Sequence, residues 1–415
     1  MNYIDTLLKG VEVEWKTLGE VADISNIGVD KKINVNEKKI RLLNFVDVFN
    51  NQYISNETPT MVVTASDRKI IDCDIKKGDV FITPSSELID EIGFSAMAVE
   101  DFDNAAYSYH IMRLRINDKN LILPAYLNFL FSSSSVRKQI RLKAQGITRF
   151  GLTQPNWKSL PIPIPQFSVQ KEIVRILDNF TELTAELTAE LTARKKQYTF
   201  YSEQLFSFNE VEIERKSLKE IGEFQRGKRF VKDDLVLEGV PCIHYGEMYT
   251  HYGTWANKSK SFLSKELVER KNLRTAENSD VVIVAAGETI EDIGLGTAWL
   301  GDEGVIIHDA CFSYRSQLNP KYVAYFTRTK QFHYQIKKHI SSGKISAINA
   351  RGLEKALIPV PSPEEQKRIV TILDKFDILT TSISEGLPKE IELRKKQYEY
   401  YRDLLLTFPM NNIES

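Results

Sequence analysis

Residues 168–208 read SVQKEIVRILDNFTELTAELTAELTARKKQYTFYSEQLFSF, and no other stretch limits the fold as much. Apolar side chains recur at helical intervals: Ile173, Ile176, Leu177, Phe180, Leu183, Leu187 and Leu191, then Tyr198, Tyr201 and Leu205. Pro161, Pro163 and Pro165 precede the run, and neither Pro nor Gly interrupts it. The pattern predicts one long helix with too much polar surface for a core helix. Its apolar stripe needs a partner along its length, as coiled-coil helices do.

A matching stripe lies in the same chain. Residues 362–408 read SPEEQKRIVTILDKFDILTTSISEGLPKEIELRKKQYEYYRDLLLTF. Gln170 matches Gln366, Ile176-Leu177-Asp178 matches Ile372-Leu373-Asp374, and Phe180 matches Phe376. Arg194-Lys195-Lys196-Gln197-Tyr198 matches Arg394-Lys395-Lys396-Gln397-Tyr398. The offset grows from 196 to 200 residues, so the second copy carries four extra. They fall around Gly386-Leu387-Pro388, which is expected to break the helix and restart it with Pro388 in a first turn.

The stretches before the two helices are also related. Residues 1–12 suggest a short amphipathic helix with Ile4, Leu7 and Leu8 on one side. Then Trp15-Lys16-Thr17-Leu18-Gly19-Glu20-Val21 is answered by Arg215-Lys216-Ser217-Leu218-Lys219-Glu220-Ile221. Gly78-Asp79-Val80-Phe81-Ile82 is a turn feeding a strand, with Ser279-Asp280-Val281-Val282-Ile283 as its counterpart. Ile92-Gly93 pairs with Ile293-Gly294, and Pro124-Ala125-Tyr126 with Pro320-Lys321-Tyr322. Each half closes on Ile-Pro-Ile/Val-Pro. The period is too long for a solenoid and describes a duplicated domain pair. The expected fold is α+β: globular domains at 1–165 and 209–361, a central helix at 166–208, a second helix or helix pair at 362–408 and a tail at 409–415. The helices are expected to pack antiparallel, with a pseudo-two-fold relating the halves. Identity concentrates in the helices, so the globular units share a frame while their surfaces differ.

Bulk properties fit this plan. A chain of 415 residues with 42% hydrophobic and 27% charged content is that of a soluble protein of two or three domains. No apolar run is long enough to span a membrane, and the acidic N-terminus is unlike a signal peptide. Three scattered cysteines, Cys73, Cys242 and Cys311, suggest free thiols and a cytoplasmic protein. The net charge of −1 does not announce a nucleic-acid binder, so charge has to be read by segment.

Taken together, IPIP…QKEIVRILDNF, IPVPSPEEQKRIVTILDKF, the two RKKQYxxYxxxL endings and PCIHYGEMYTHYG (Pro241–Gly253) resemble the specificity subunit of type I restriction–modification enzymes, over essentially the whole chain. The resemblance implies two target-recognition domains, each reading one half of a split double-stranded DNA target. It also implies two helices that set the spacing and dock two modification (methyltransferase) subunits. S-adenosylmethionine, ATP and Mg would belong to the modification and restriction subunits, leaving this chain non-catalytic. The residues agree: there is no Asn/Asp-Pro-Pro-Tyr/Phe tetrapeptide and no GxxxxGK[ST] loop, and the Glu-x-Lys triplets at Glu214 and Glu269 lack a well-placed Pro-Asp. His308, Cys311, Cys242 and His244 have poor spacing for zinc. The competing classes are a protein–protein adaptor that dimerises through its helices and a stand-alone DNA-modifying enzyme.

Under this reading the DNA-binding candidates are basic or polar loop residues. In the first domain they are Lys31, Lys32, Ser85, Ser86, Arg141 and Arg149, with Glu87 beside them. In the second they are Arg226, Lys228, Arg229, His244, Tyr245, Lys260, Lys344 and Arg351, with Gly287, Glu288 and Thr289 after the matched strand. Lys and Arg neutralise phosphates, Arg reads guanine, and Glu accepts from cytosine. Arg149 is aligned with Lys344, and Gly227 allows close backbone approach. The ordinary alternative for each is a solvated charge, a turn or a packed sheet edge. Leu183, Leu187, Leu191, Tyr198 and Tyr398 are the candidate docking residues on the helices. The tetrads Leu183–Glu186 and Leu187–Glu190 form a perfect repeat. One tetrad extends a helix by about 6 Å and turns it by roughly 40°, against about 3.4 Å and roughly 35° per base pair. Such a tetrad would act as a ruler for the gap between half-sites.

Overall fold

The computed structural model describes residues 3–208, 213–382 and 384–409. The chain divides into two compact units: Met1–Glu186 with Ile391–Ser415, and Leu187–Glu390. The units do not follow the succession of globule and helix. Each combines one globular domain with parts of both helical segments.

Both units are built on the same sheet. In the first, the strand order is Ala22–Ser25, Met112–Ile116, Val80–Ile82, Ser95–Ala98 and Tyr53–Ile54. In the second it is Gly222–Arg226, Cys311–Ser316, Val281–Val284, Gly296–Trp299 and Trp255–Ala256. The registers correspond, with Val80 opposite Met97 and Val281 opposite Ala298, and the last strand of each sheet is parallel to its neighbour. A second sheet accompanies each, three-stranded in the first unit and five-stranded in the second. Its common element is a parallel pair, Lys38–Leu43 with Ala105–Tyr107 and Val240–Ile243 with Val305–Ile307.

The repeated residues have repeated structural jobs. Thr17 and Ser217 open short helices as capping boxes, each backbone N–H donating to Glu20 or Glu220 at 2.7 Å. Asp79 and Asp280, both buried, hold the turn before the central strand and accept from Arg115 and Arg315, with closest contacts of 2.7 Å. The proline-rich closing strands, Pro161–Pro165 and Leu357–Pro359, pair only with Val13–Thr17 and Arg215–Ser217 in two-stranded sheets, where missing N–H donors are tolerated. The N-terminal helix, described over Tyr3–Leu8, ends at Leu8 rather than at residue 12, because Gly10 takes a left-handed φ of +72°.

The central helix runs Phe167–Leu205, 39 residues. The C-terminal segment forms two helices, Pro363–Thr381 and Leu387–Leu406. Gly386 lies between them at φ +84°, where a Cβ would stand 2.4 Å from the Ile378 carbonyl oxygen, and Pro388 falls in the new first turn. Within the first unit, Ile173 and Leu177 share a core with Leu405 and Leu406, and the Phe180 and Tyr401 rings stack at 5.5 Å. Within the second, Ile369 and Leu373 join a core with Phe206, and Phe376 meets Tyr198 and Tyr201 at 6.2 and 5.8 Å. The same contact pattern is thus made twice. Residues 410–415, most of the expected tail, lie outside the described residues.

Candidate nucleic-acid interface

Each unit carries a groove at the end of its central strand. After Val80–Ile82 the chain forms a two-residue ribbon strand, Ser85–Ser86, paired with Phe150–Gly151. After Val281–Val284 it forms Ala286–Gly287, paired with Ser346–Ala347. The first groove, about 430 Å³, is lined by Lys31, Phe45, Ser86, Glu87, Leu88, Glu91, His110 and Arg149. The second, about 540 Å³, gathers Arg226, Arg229, Lys232, His244, Tyr245, Gly287, Glu288 and His308 among others.

The polar groups in these grooves differ in how far they are committed inside the protein. Ser86 is buried and donates to Glu91 at 2.5 Å, and Ser85 accepts from Arg149 Nε at 3.1 Å. Arg226 donates to the Asp309 carbonyl at 2.9 Å. The Thr289 hydroxyl is tied to Asp292. Glu87 and Glu288 occupy equivalent places just after the ribbon strands, and both are exposed. Among the described residues, neither carboxylate makes an ion pair or hydrogen bond.

Aromatic rings line one side of the second groove. His308 stands 5.1 Å from each of Phe230, His244 and Tyr245. Burial lowers the pKa of both histidines, offset in part by Asp309 beside His308 and Glu247 beside His244. In the first groove burial, then Lys31 and Arg149, lowers that of His110. Glu247 and Tyr252 are structural: Glu247 accepts from His244 N at 2.9 Å and from the Ser261 hydroxyl, and the Tyr252 hydroxyl accepts from Lys260 N at 2.8 Å. Burial pushes the Cys242 and Cys311 thiols up to about 12.

Other candidates lie elsewhere. Arg141 pairs with Asp90 at 2.5 Å and lines a separate depression with Arg137 and Arg402. Lys32, Lys260, Lys344 and Arg351 are exposed outside the groove linings, and Lys228 contributes a backbone N–H to Ile307 O at 3.2 Å. Gly227 permits a close approach within the protein itself, since a Cβ there would lie 2.2 Å from His308 O. One alignment needs correcting. The bridges Gln145–Gly151 and Ser341–Ala347 enclose loops of equal length, so the counterpart of Arg149 is Ile345, and Lys344 corresponds to Thr148. Sequence reading also missed His110 and weighed His308 only as a metal ligand. Both lie just before the strands Met112–Ile116 and Cys311–Ser316, whose antiparallel pairing with the central strands brings them alongside the ribbons.

On the helices, Leu183 is 44% exposed, Leu187 and Leu191 are half-buried, and Tyr198 and Tyr398 pack inside their own units. Among the described residues, no helix is long and apolar enough to cross a membrane.

The model of the type I restriction modification DNA specificity domain matches the chain twice, at residues 10–194 and 210–393. The chain belongs to this family. It is 33% identical to the EcoR124I/EcoR124II type I restriction enzyme specificity subunit of Escherichia coli, over 99% of this chain and 98% of that one. A putative type I restriction enzyme specificity subunit of Haemophilus influenzae is 30% identical over 98% of both chains. Two solved folds are similar: a chain from a study of complex assembly and conformational transition of the type I R-M system (TM-score 0.62, 15% identity, 95% of this chain and 97% of that one) and the HsdS subunit of Thermoanaerobacter tengcongensis (TM-score 0.52, 17% identity, 95% and 96%). Membership in the specificity family fits a duplicated fold with two differently lined grooves.

Proposed function

We propose that this chain is the DNA-reading subunit of a type I restriction–modification complex, binding a bipartite, asymmetric double-stranded target with one groove per half-site. The observation that carries this reading is the pair of grooves: equivalent in the fold, each setting lysine or arginine cations beside carboxylates, and lined by different side chains. Equivalent placement gives two reading heads, and different linings give two different half-sites. Lys31 and Arg149 in the first groove, and Arg226 and Arg229 in the second, supply phosphate or guanine contacts. The two helical segments serve as an antiparallel spacer, and Leu183, Leu187 and Leu191 offer a face to two modification subunits. The restriction subunits join that assembly. The chain itself performs no chemistry; S-adenosylmethionine, ATP and Mg are held by its partners. The adaptor alternative gains no support from the family match.

The test is co-expression with its modification subunit, followed by genome-wide mapping of methylated adenine. A split, asymmetric motif with a fixed gap, lost when this chain is omitted, is the expected result. Absence of new methylation, with a modification subunit active beside another specificity chain, would overturn the reading.

A further inference from the structure

The corrected loop alignment singles out one position. Each ribbon is preceded by a loop of the same length, closed by the bridges Gln145–Gly151 and Ser341–Ala347. Phe150 lies opposite Ser86, and Ser346 lies opposite Gly287. The residue just before each ribbon strand is therefore Arg149 in one unit and Ile345 in the other, and each lines the groove of its own unit. The flanking carboxylates, Glu87 and Glu288, are the same in both grooves, so the difference at this position stands out.

The two side chains are presented differently. Arg149 Nε and Nη2 donate to the Ser85 hydroxyl and carbonyl at 3.1 and 3.3 Å. That fixes the guanidinium on the ribbon and leaves other N–H donors of its fork uncommitted. No carboxylate among the described residues pairs with it. Ile345 is 63% exposed on the wall of a groove that also holds Arg226, Arg229 and His244. An aliphatic side chain there gains only when an apolar group covers it. On the major-groove edges of DNA the apolar group is the 5-methyl of thymine, while the paired acceptors that suit a guanidinium are O6 and N7 of guanine.

We infer that Arg149 and Ile345 are the specificity-determining pair that makes the half-sites differ, Arg149 reading a guanine in one and Ile345 a thymine in the other. The inference rests on the DNA-reading function proposed above and adds which residues write the asymmetry.

The experiment uses the full chain co-expressed with its modification subunit and reads the methylated motif of each variant. Ile345→Arg is expected to replace thymine by guanine at one position of one half-site, leaving the other half-site and the gap intact. Ile345→Ser should relax that position. Arg149→Ala should relax one position of the opposite half-site, with discrimination there falling about 10- to 100-fold. Arg149→Lys and Ile345→Val retain charge or shape and guard against failure to fold. Lysine keeps the phosphate contact without the two-pronged geometry, so Arg149→Lys should also lose guanine discrimination.

A wild-type chain that yields no split motif would defeat the proposed function itself. A wild-type motif left unchanged in every variant, with methylation rates intact, would overturn this inference alone. So would an equal loss at all sites whatever their sequence, because that marks phosphate contact rather than base reading.

Discussion

Among the described residues Glu288 is an exposed carboxylate without a partner, in a groove that also presents Arg226, Arg229 and Lys232, and Glu87 stands with Lys31 and Arg149 in the other unit. Such a charge opposes phosphate binding and is useful only where it accepts from a base amino group. Glu288→Gln should therefore tighten binding to unrelated duplex while discrimination at one position of one half-site falls about 5- to 100-fold. Titration against specific and random duplexes at matched salt checks both signs, and a uniform weakening on both would refute the assignment. The buried His308 and the half-buried His244 and His333 give a second residue-level expectation. Burial depresses His308, His244 and His333 below their ordinary value, so the unfolded chain takes up these protons first. Stability is then full above about pH 6.5 and is lost as pH falls from there toward the lowered folded values. The melting temperature of the second unit should fall as pH drops below about 6.5, and His308→Asn should flatten that dependence. The site was half legible at this scale. Ser85, Ser86, Gly287 and Glu288 follow recognisable strands, and the structure places them at the two grooves. Arg141 lies outside the groove, paired with Asp90, and a count of basic residues along the chain does not reveal such a partner.

At the scale of elements, the repeated helix starts can be explained by what they hold. Gln170 is fully buried: it donates to Leu121 O and Pro165 O at 2.9 Å and accepts from Leu123 N at 2.9 Å. Gln366 donates to Pro361 O and accepts from Asn319 N, again at 2.9 Å. One glutamine thus ties each helix start to a loop and to the proline-rich segment before it. Gln170→Ala leaves those groups unpaired and should destabilise the first unit by about 2–4 kcal/mol. Gln366→Ala should do the same to the second, read by hydrogen exchange resolved to each unit. The sequence repeat exposed these elements because the same contacts are made twice, Phe180 with Tyr401 and Phe376 with Tyr201. It could not align the ribbon loops, where only length and pairing are shared. The tetrads belong to this scale as well. Deleting Leu187–Glu190 from the Phe167–Leu205 helix rotates all that follows by roughly 40°, close to one base pair of twist. The methylated motif of that variant is expected to keep both half-sites and lose one base pair of gap; an unchanged gap would rule out the ruler.

For the whole molecule, the decisive fact is that the first compact unit is not continuous in sequence. It takes Met1–Glu186 and completes itself with Ile391–Ser415, while Leu187–Glu390 forms the other unit. The duplicated order of globule and helix hides this, because periodicity shows which residues form a helix but not which unit each part joins. The completing helix supplies Leu405 and Leu406, at 0% and 1% exposure, to the core that holds Ile173 and Leu177. Each leucine is worth about 1.5–3 kcal/mol on burial, so losing both removes about 3–6 kcal/mol from a stability that for most domains is about 5–15 kcal/mol. A chain ending at Glu390 should show fast hydrogen exchange through the first unit, around Val80–Ile82 and Pro124–Leu130, with the second unit still protected. Adding a peptide of residues 391–415 in excess should restore the protection by mass action. Equal protection of both units in the truncated chain would mean that the C-terminal helix is dispensable and that the N-terminal globule closes its core alone.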